Sequence, residues 1–247
     1  MDVRPEELLI DLLARMIAAD RHVAVGAASP IPGAAALLAQ VEASQRMHVT
    51  LLHSRRDNRF TDGARELFDC AGQGRIDTFF LGGVQIDGKA NINLVGLGDY
   101  PKLERRFPGS YGSAYMYFAV PRVILIREEH SRRTLVEKVD FISAPGTSPG
   151  NVYRPGGPKA LVTGRCVFSF DGAQFRLESV HPGHTVAEVL ENTGFGFDCP
   201  DDVPETSRPD PRRLDLLRRT IAPRVAEFYP DFAARVFGVS TQVQGTS

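Results

Sequence analysis

The residues best suited to chemistry follow an apolar, strand-like run at residues 76–81. This run stops at Gly82-Gly83, and four polar residues come next: Gln85, Asp87, Asn91 and Asn93. The backbone N–H groups of Gly82 and Gly83 could stabilise an oxyanion; the alternative is a tight turn after the strand. Asn91 and Asn93 are two residues apart, so in an extended segment both side chains face the same side. That side is either a ligand groove, which we favour slightly, or the sheet interior.

A second glycine-rich segment, GSYGS at residues 109–113, lies further along the chain. Gly109, Ser110 and Gly112 suit a loop that contacts a ligand, although the entry turn of a helix would need the same residues. Open α/β sheets bind ligands where the carboxyl ends of their strands break into such loops. We therefore expect both glycine-rich segments at the carboxyl ends of strands.

Four sequence blocks, in matching order and spacing, resemble the class I coenzyme A transferases, in particular the small (beta) subunit of the glutaconate CoA-transferase type. The matched residues are Gly82, Gly83, Gln85, Ile86, Asp87, Asn91 and Asn93, then Gly98-Asp99-Tyr100, then Pro108-Gly109-Ser110 with Gly112, then His130, Arg132, Arg133, Lys138 and Asp140 with Pro145-Gly146. A weaker match follows at residues 191–195, so the resemblance covers roughly residues 8–200. One departure is Ala90, which replaces the glycine expected before Asn91.

The resemblance implies a heteromeric enzyme in which a separate alpha subunit completes the active site. Its substrate would be an acyl thioester of coenzyme A, with no metal. The resemblance assigns the CoA contacts to Gly82, Gly83, Asn91, Asn93, Gly109, Ser110 and Gly112. His130, Arg132 and Arg133 could form a phosphate or subunit-interface cluster, or simply a solvated loop.

The resembled family uses a glutamate at the end of the second strand as a covalent nucleophile. Alignment on His48 places Leu52 at that position, and no acidic residue lies between Glu42 and Asp57. Three interpretations remain. The nucleophile is misaligned, as Asp57 or Glu66; the chain belongs to a branch that hydrolyses, ring-opens or decarboxylates CoA thioesters; or it is a noncatalytic CoA-binding subunit.

His53, next to Leu52, is the candidate general acid or base, because the ordinary pKa of histidine is about 6.5. The alternative is a polar residue at a strand exit with no role. Arg55, Arg56 and Arg59 crowd the same loop and could bind carboxylates or phosphates, although an exposed basic loop is the more common case for each. Ser54 follows His53 directly, and adjacent strand residues face opposite sides, which disfavours a dyad.

Composition narrows the function further. The 247 residues carry 29 basic and 30 acidic side chains, a balance that argues against nucleic-acid and anionic-membrane partners. No apolar run approaches the roughly 20 residues that span a bilayer. The three widely spaced cysteines fit a reduced cytoplasmic setting, and His181 and His184 lack a third metal ligand. No basic helix-turn-helix precedes Leu8, which disfavours a DNA-binding regulator of the same fold family; a CoA-sensing module without turnover remains a further alternative.

Helical and strand periodicities alternate along the first half of the chain. Helices are predicted at 6–19, 33–44, 62–71 and 186–190, and strands at 22–25, 48–52, 76–81, 123–126, 159–163, 166–170 and 174–179. The expected fold is α/β, an open and mainly parallel sheet with helices on both faces, similar to CoA-transferases and sugar-phosphate isomerases. Residues 1–200 are predicted to form this domain, and residues 201–247 a linker with C-terminal helices at 212–219 and 231–237 that pack on it.

Overall fold

The protein is described here by a computed structural model, in which residues 2–239 are placed. The helices are α1 Pro5–Met16, α2 Pro30–Glu42, α3 Gly63–Gly72, α4 Ser113–Ala119, α5 Val186–Asn192, α6 Pro211–Leu216, α7 Ala222–Phe228 and α8 Pro230–Phe237, with a π-helical turn at Leu217–Ile221. The strands are β1 His22–Val25, β2 His48–Leu51, β3 Thr78–Leu81, β4 Gln85–Ile86, β5 Ile92–Asn93, β6 Gly96–Leu97, β7 Arg105–Arg106, β8 Arg122–Arg127, β9 Pro158–Thr163, β10 Cys166–Phe170 and β11 Phe175–Val180.

Seven strands form one sheet in the order β11-β10-β9-β8-β3-β1-β2. The pairs β1/β2, β3/β8 and β8/β9 are parallel, whereas β9/β10 and β10/β11 are antiparallel. This confirms the predicted α/β fold with a mainly parallel sheet. Two further two-stranded sheets, β4-β5 and β6-β7, are antiparallel.

The chain divides into two compact units. The first comprises the residues up to Gly63 together with those from Ser207 onward, so the C-terminal helices belong to the same unit as α1 and α2. Helix α2 is buried on almost every side from Ile31 to Ala39. Helix α1 packs against α2 and buries Leu9 and Leu13, as its amphipathic pattern predicts.

Two acidic residues of α1 are also buried, which its apolar stripe does not reveal. Glu7 is 1% exposed and accepts hydrogen bonds from the guanidinium of Arg218 across 2.6 and 2.7 Å. Asp11 is likewise 1% exposed and lies 2.6 Å from the guanidinium of Arg213. These ion pairs anchor the C-terminal helices to the first helix of the chain.

The second unit runs from Ala64 to Thr206. Its central strand β8 buries Val123, Ile124 and Leu125 completely, as a strand flanked by parallel neighbours requires. The β10-β11 hairpin turns at Asp171, whose carboxylate accepts the N–H groups of Ala173 and Gln174. The segment between β3 and β8 contains the glycine-rich loops of interest.

Candidate functional site

The glycine pair after β3 is required by the backbone of its own loop. A Cβ atom on Gly83 would lie 2.6 Å from the carbonyl oxygen of Gln85, and one on Gly82 would lie 2.9 Å from that of Ile126. Both separations are shorter than a side chain tolerates. Gly82 is half-buried and Gly83 is buried. The glycines thus allow β3 to turn sharply into the β4-β5 hairpin.

The side chain of Asn93 is fully used inside the protein. Its Nδ2 donates to Gln85 Oε1 at 2.8 Å and to the carbonyl of Gly96 at 2.7 Å. Its Oδ1 accepts the N–H groups of Val95 at 3.0 Å and of Gly96 at 3.3 Å. Since Asn93 is 0% exposed, its amide faces the protein interior and builds the turn that joins β5 to β6.

Asn91 has a similar internal role. Its Nδ2 donates to the carboxylate of Asp87 at 3.0 Å, and its Oδ1 accepts the N–H of Gly146 at 3.1 Å. A Cβ atom on Gly146 would lie 2.2 Å from the carbonyl of Lys89, so this glycine is needed for the close contact between the two segments. Two of the sequence blocks that carry the resemblance, one with Asp87 and Asn91 and the other with Pro145-Gly146, are therefore in direct contact.

Ala90 occupies the position where the resemblance leads one to expect glycine. Its φ of +57° lies in the left-handed region, which explains why glycine suits this position. The hydroxyl of Tyr117 in α4 donates to the carbonyl of Ala90 at 2.7 Å. Helix α4 begins at Ser113, the last residue of the loop at 109–113. This hydrogen bond therefore connects the second glycine-rich loop, through α4, to the segment that follows Gly82-Gly83.

The loop at 109–113 is the more open of the two. Gly109 has a φ of +104°, and no atom lies within 4 Å of the place where its Cβ would be; Ser110 is half-buried. Tyr111 is 84% exposed, whereas Gly112 packs so closely under Phe68 that a Cβ atom would lie 2.1 Å from its ring. The hydroxyl of Ser110 makes no hydrogen bond within residues 2–239, so it is available to a ligand.

His53 lies in the first unit, in the turn that follows β2. Its imidazole is exposed and stacks on the ring of Tyr229, with centroids 5.2 Å apart and planes 9° apart. Leu52, before it, is held by a hydrogen bond from its N–H to the carbonyl of Val25 at 3.0 Å. No carboxylate of the strand itself replaces the expected glutamate.

Ser54 is buried and organises the turn. Its hydroxyl accepts the N–H groups of Arg56 and Asp57, at 3.2 and 2.9 Å, and donates to Glu227 at 2.9 Å. With these three partners it is a structural residue of the turn. The carboxylate of Asp57, in turn, lies 2.9 Å from the guanidinium of Arg224, so Asp57 is held as an ion-pair partner.

Arg55, Arg56 and Arg59 are exposed around this turn. Within the described part of the chain, their guanidinium groups form no ion pair. Their charges are therefore open to an anionic ligand, while the turn that carries them is fixed by Ser54.

His130 is buried in the second unit and belongs to a polar cluster. Its Nδ1 lies 2.8 Å from the hydroxyl of Thr163, and its Nε2 lies 3.0 Å from that of Thr193. Burial lowers the pKa of His130 to about 4, so the imidazole is neutral at pH 7. His130 thus stabilises the interior, whereas Arg133 is exposed and pairs with Glu129 at 2.8 Å.

His181 is a second buried histidine in the same region. Its Nδ1 lies 2.8 Å from the hydroxyl of Thr206 and its Nε2 lies 3.0 Å from the carbonyl of Thr163. Burial lowers the pKa of His181 to about 4. The backbone N–H of His184 donates to the carbonyl of His181 at 3.1 Å, and the imidazole of His184 lies 3.6 Å from the carboxylate of Glu188. Among the described residues, no group of three or more histidine, cysteine, aspartate or glutamate side chains is arranged to hold a metal ion.

The chain belongs to the coenzyme A transferase family, whose sequence model matches residues 4–192. It is 37% identical over 153 residues to the B subunit of 3-oxoadipate CoA-transferase from Pseudomonas knackmussii, covering 59% of this chain and 58% of that protein. It is 35% identical over 153 residues to the B subunit of glutaconate CoA-transferase from Acidaminococcus fermentans, covering 58% of this chain and 56% of that protein. The alignments thus span less than two thirds of these relatives. The resemblance to class I beta subunits is confirmed.

Two other similarities concern proteins of different chemistry. The cholesterol ring-cleaving hydrolase IpdB subunit of Rhodococcus jostii is 31% identical over 166 residues, 65% of each protein. The structure of a decarboxylase AibA/AibB variant superimposes with a TM-score of 0.76 at 28% identity, covering 88% of this chain and 95% of that chain. Within residues 2–239, no helix combines the length and the apolar character needed to cross a bilayer.

Proposed function

We propose that this chain is the beta subunit of a heteromeric enzyme that acts on acyl-CoA thioesters and needs a separate alpha subunit to complete its active site. The observation that carries the proposal is the match to the coenzyme A transferase family over residues 4–192. The similarity to the B subunits of two CoA-transferases supports an alpha partner. We further propose that the enzyme is a heterotetramer with a catabolic role. Its substrate would be the CoA thioester of a dicarboxylic or ring-degradation intermediate. The three free cysteines support a cytoplasmic setting.

Coenzyme A, as the substrate thioester, is proposed to contact Gly82, Gly83, Gly109, Ser110 and Gly112. Asn91 and Asn93 belong to the same site as shaping residues, because their amides hold the loop that carries the first two glycines. The open surroundings of Gly109 and the unused hydroxyl of Ser110 support contact from the second loop. No metal takes part in this proposal.

The reaction is proposed to differ from transfer through a glutamyl intermediate on this chain. Leu52 cannot act as a nucleophile, and Asp57 and Ser54 are engaged in holding the turn. Hydrolysis, ring opening or decarboxylation of a CoA thioester is therefore the second candidate function. The similarity to a ring-cleaving hydrolase subunit and to a decarboxylase supports it. CoA transfer is the first candidate function, because the chain belongs to the coenzyme A transferase family.

His53 is proposed as the general acid or base of this chemistry. Its exposure makes it accessible to substrate, and an imidazole exchanges protons near neutral pH. Replacing it by alanine should lower kcat by about 10²-fold or more in the assembled enzyme. An unchanged kcat in a folded His53→Ala enzyme would remove His53 from the mechanism.

The deciding experiment is co-expression with a candidate alpha subunit from a neighbouring gene. Size-exclusion chromatography with light scattering should show an α2β2 or larger particle, and isothermal titration should show binding of CoA thioesters. Full activity of this chain as a monomer would exclude the heteromeric proposal.

Intact-mass analysis separates the two reactions. The complex is incubated with acyl-CoA and trapped with borohydride or hydroxylamine. We expect no carboxylate adduct on this chain. Hydrolysis, ring opening or decarboxylation of the thioester in the same incubation would support the second candidate function. An adduct trapped on a glutamate or aspartate of this chain would instead establish covalent CoA transfer.

A further inference from the structure

The imidazole of His53 is oriented by a residue from the far end of the chain. The ring of Tyr229, between α7 and α8, lies parallel to it at 9°, with a centroid distance of 5.2 Å. Neither ring nitrogen of His53 has a hydrogen-bond partner among residues 2–239. The aromatic stack is therefore the contact that fixes the plane of the imidazole, and it leaves both nitrogen atoms at the ring edge free for proton transfer.

Tyr229 is itself held at both ends. Its hydroxyl accepts the backbone N–H of Ser29 at 2.8 Å, in the loop between β1 and α2. Its own N–H donates to the carbonyl of Val225 at 2.8 Å, and its ring contacts Phe228 with centroids 4.8 Å apart. The ordinary pKa of tyrosine, 10.0, already makes this hydroxyl neutral at physiological pH, and burial raises the pKa of Tyr229 further. The ring is thus a fixed platform.

The backbone around His53 is fixed by the same C-terminal segment. Glu227 accepts the hydroxyl hydrogen of Ser54 at 2.9 Å and the N–H of Arg55 at 3.2 Å. One end of the turn is therefore tied to α7, while the imidazole rests on the residue that follows α7. All of these residues belong to the first compact unit.

We propose that Tyr229 is a positioning residue that holds the imidazole of His53 in one orientation for proton transfer, with Glu227 fixing the backbone of the same turn. This inference rests on the proposed function of His53. The C-terminal segment, which the sequence predicts to be a linker with helices that pack on the domain, thereby contributes residues to the proposed site. Proton transfer depends steeply on orientation, and displacement of a reacting group by about 1 Å can cost about 10²-fold in rate.

The first test is spectroscopic and does not require turnover. Chains labelled at histidine are compared by NMR as wild type, Tyr229→Leu and Tyr229→Phe, with His53→Ala to assign the signal. The ring current of Tyr229 should shift the His53 ring protons upfield in the wild type and in Tyr229→Phe, which keeps the stack. The shift should vanish in Tyr229→Leu. An identical His53 signal in Tyr229→Leu would overturn the inference.

The second test is kinetic and uses the enzyme assembled with its alpha subunit. Tyr229→Leu should lower kcat about 10-fold with KM changed less than about twofold, and Tyr229→Phe should recover most of the loss. Arg219→Ala, an exposed change on the π-helical turn, controls for substitution in the C-terminal segment. Equal kcat values for Tyr229→Leu and wild type would contradict the positioning role. If His53→Ala leaves kcat unchanged, the proposed function of His53 fails, and the NMR comparison still decides whether Tyr229 orients the ring.

Discussion

The carboxylate of Glu227 accepts the hydroxyl hydrogen of Ser54 across 2.9 Å, although the two residues are 173 positions apart in the sequence. The second carboxylate oxygen accepts the N–H of Arg55 at 3.2 Å. A single side chain of α7 therefore fixes the turn that follows β2. This contact from the C-terminal helices adds to the local hydrogen bonds that the Ser54 hydroxyl accepts from the N–H groups of Arg56 and Asp57.

Glu227→Ala should lower the free energy of unfolding by about 1 kcal/mol, because it leaves the buried hydroxyl of Ser54 without its acceptor while the exposed carboxylate loses little. Glu227→Gln keeps an acceptor oxygen and should cost less than half as much. Urea unfolding gives the energies, and hydrogen exchange at the Arg55 amide should rise in Glu227→Ala. Unchanged exchange at Arg55 would show that the turn holds without Glu227.

Stability should fall as the pH drops from about 6.5 toward 4, because of His130 and His181. Burial lowers the pKa of each from 6.5 to about 4. The unfolded chain therefore binds more protons across this range. The contribution of each histidine is fully present above pH 6.5 and is lost toward pH 4, reaching about 3 kcal/mol for each. Urea unfolding at a series of pH values measures this loss.

The variant that isolates one of these groups is His181→Gln, because His181 is 3% exposed. Removing this buried histidine should reduce the slope of stability against pH between 6.5 and 5 by up to about 1.4 kcal/mol per pH unit relative to the wild type. An unchanged slope in His181→Gln would show that burial of His181 does not drive the acid response.

Much of the fold follows from local sequence patterns. Strand β1 is predicted with its observed bounds, and β2 differs by one residue, because buried apolar runs between polar turns are clear signals. The β4-β5 and β6-β7 pairs are missed, since strands of two residues have no periodicity. Helix α4 is also missed, because its seven residues are too short for a helical pattern.

The candidate site is less accessible to sequence reasoning. The spacing of Asn91 and Asn93 predicts that both face one side of an extended segment, and it slightly favours a ligand groove. Sequence alone does not separate a groove from the interior, where both amides form hydrogen bonds. Tyr229 and Glu227 carry no local signal, because their contacts with His53 and Ser54 depend on tertiary packing. The burial of Glu7 and Asp11 does have a signal in the sequence, because the two acidic residues lie about one helical turn apart and therefore share a face of α1.

Gly83→Ala should be strongly destabilising for a backbone reason. The added Cβ would lie 2.6 Å from the Gln85 carbonyl and would force the loop after β3 to move. We expect a loss of about 2 kcal/mol or more in unfolding free energy and a parallel loss of CoA thioester binding. Gly150→Ala, with nothing within 4 Å of the new atom, should be nearly neutral in both measurements. Weaker binding by Gly83→Ala at full stability would instead indicate a direct steric block of the ligand.

Asn93 and Ser110 separate the scaffold of the proposed CoA site from its contact surface. Asn93→Ala removes four hydrogen bonds and leaves the N–H groups of Val95 and Gly96 without the amide oxygen that accepts them, so we expect a loss of about 3 kcal/mol or more in unfolding free energy.

Ser110→Ala removes a half-buried hydroxyl that makes no hydrogen bond within residues 2–239, so the unfolding free energy should change by less than about 0.5 kcal/mol. If Ser110 contacts the thioester ligand, the Kd of the assembled enzyme should still rise, by about threefold to tenfold, for the loss of one hydrogen bond. Chemical unfolding of each variant together with isothermal titration against an acyl-CoA measures both quantities. Because the variant keeps its stability, a rise in Kd could not be due to unfolding. Unchanged affinity in Ser110→Ala would show that this hydroxyl does not contact the ligand.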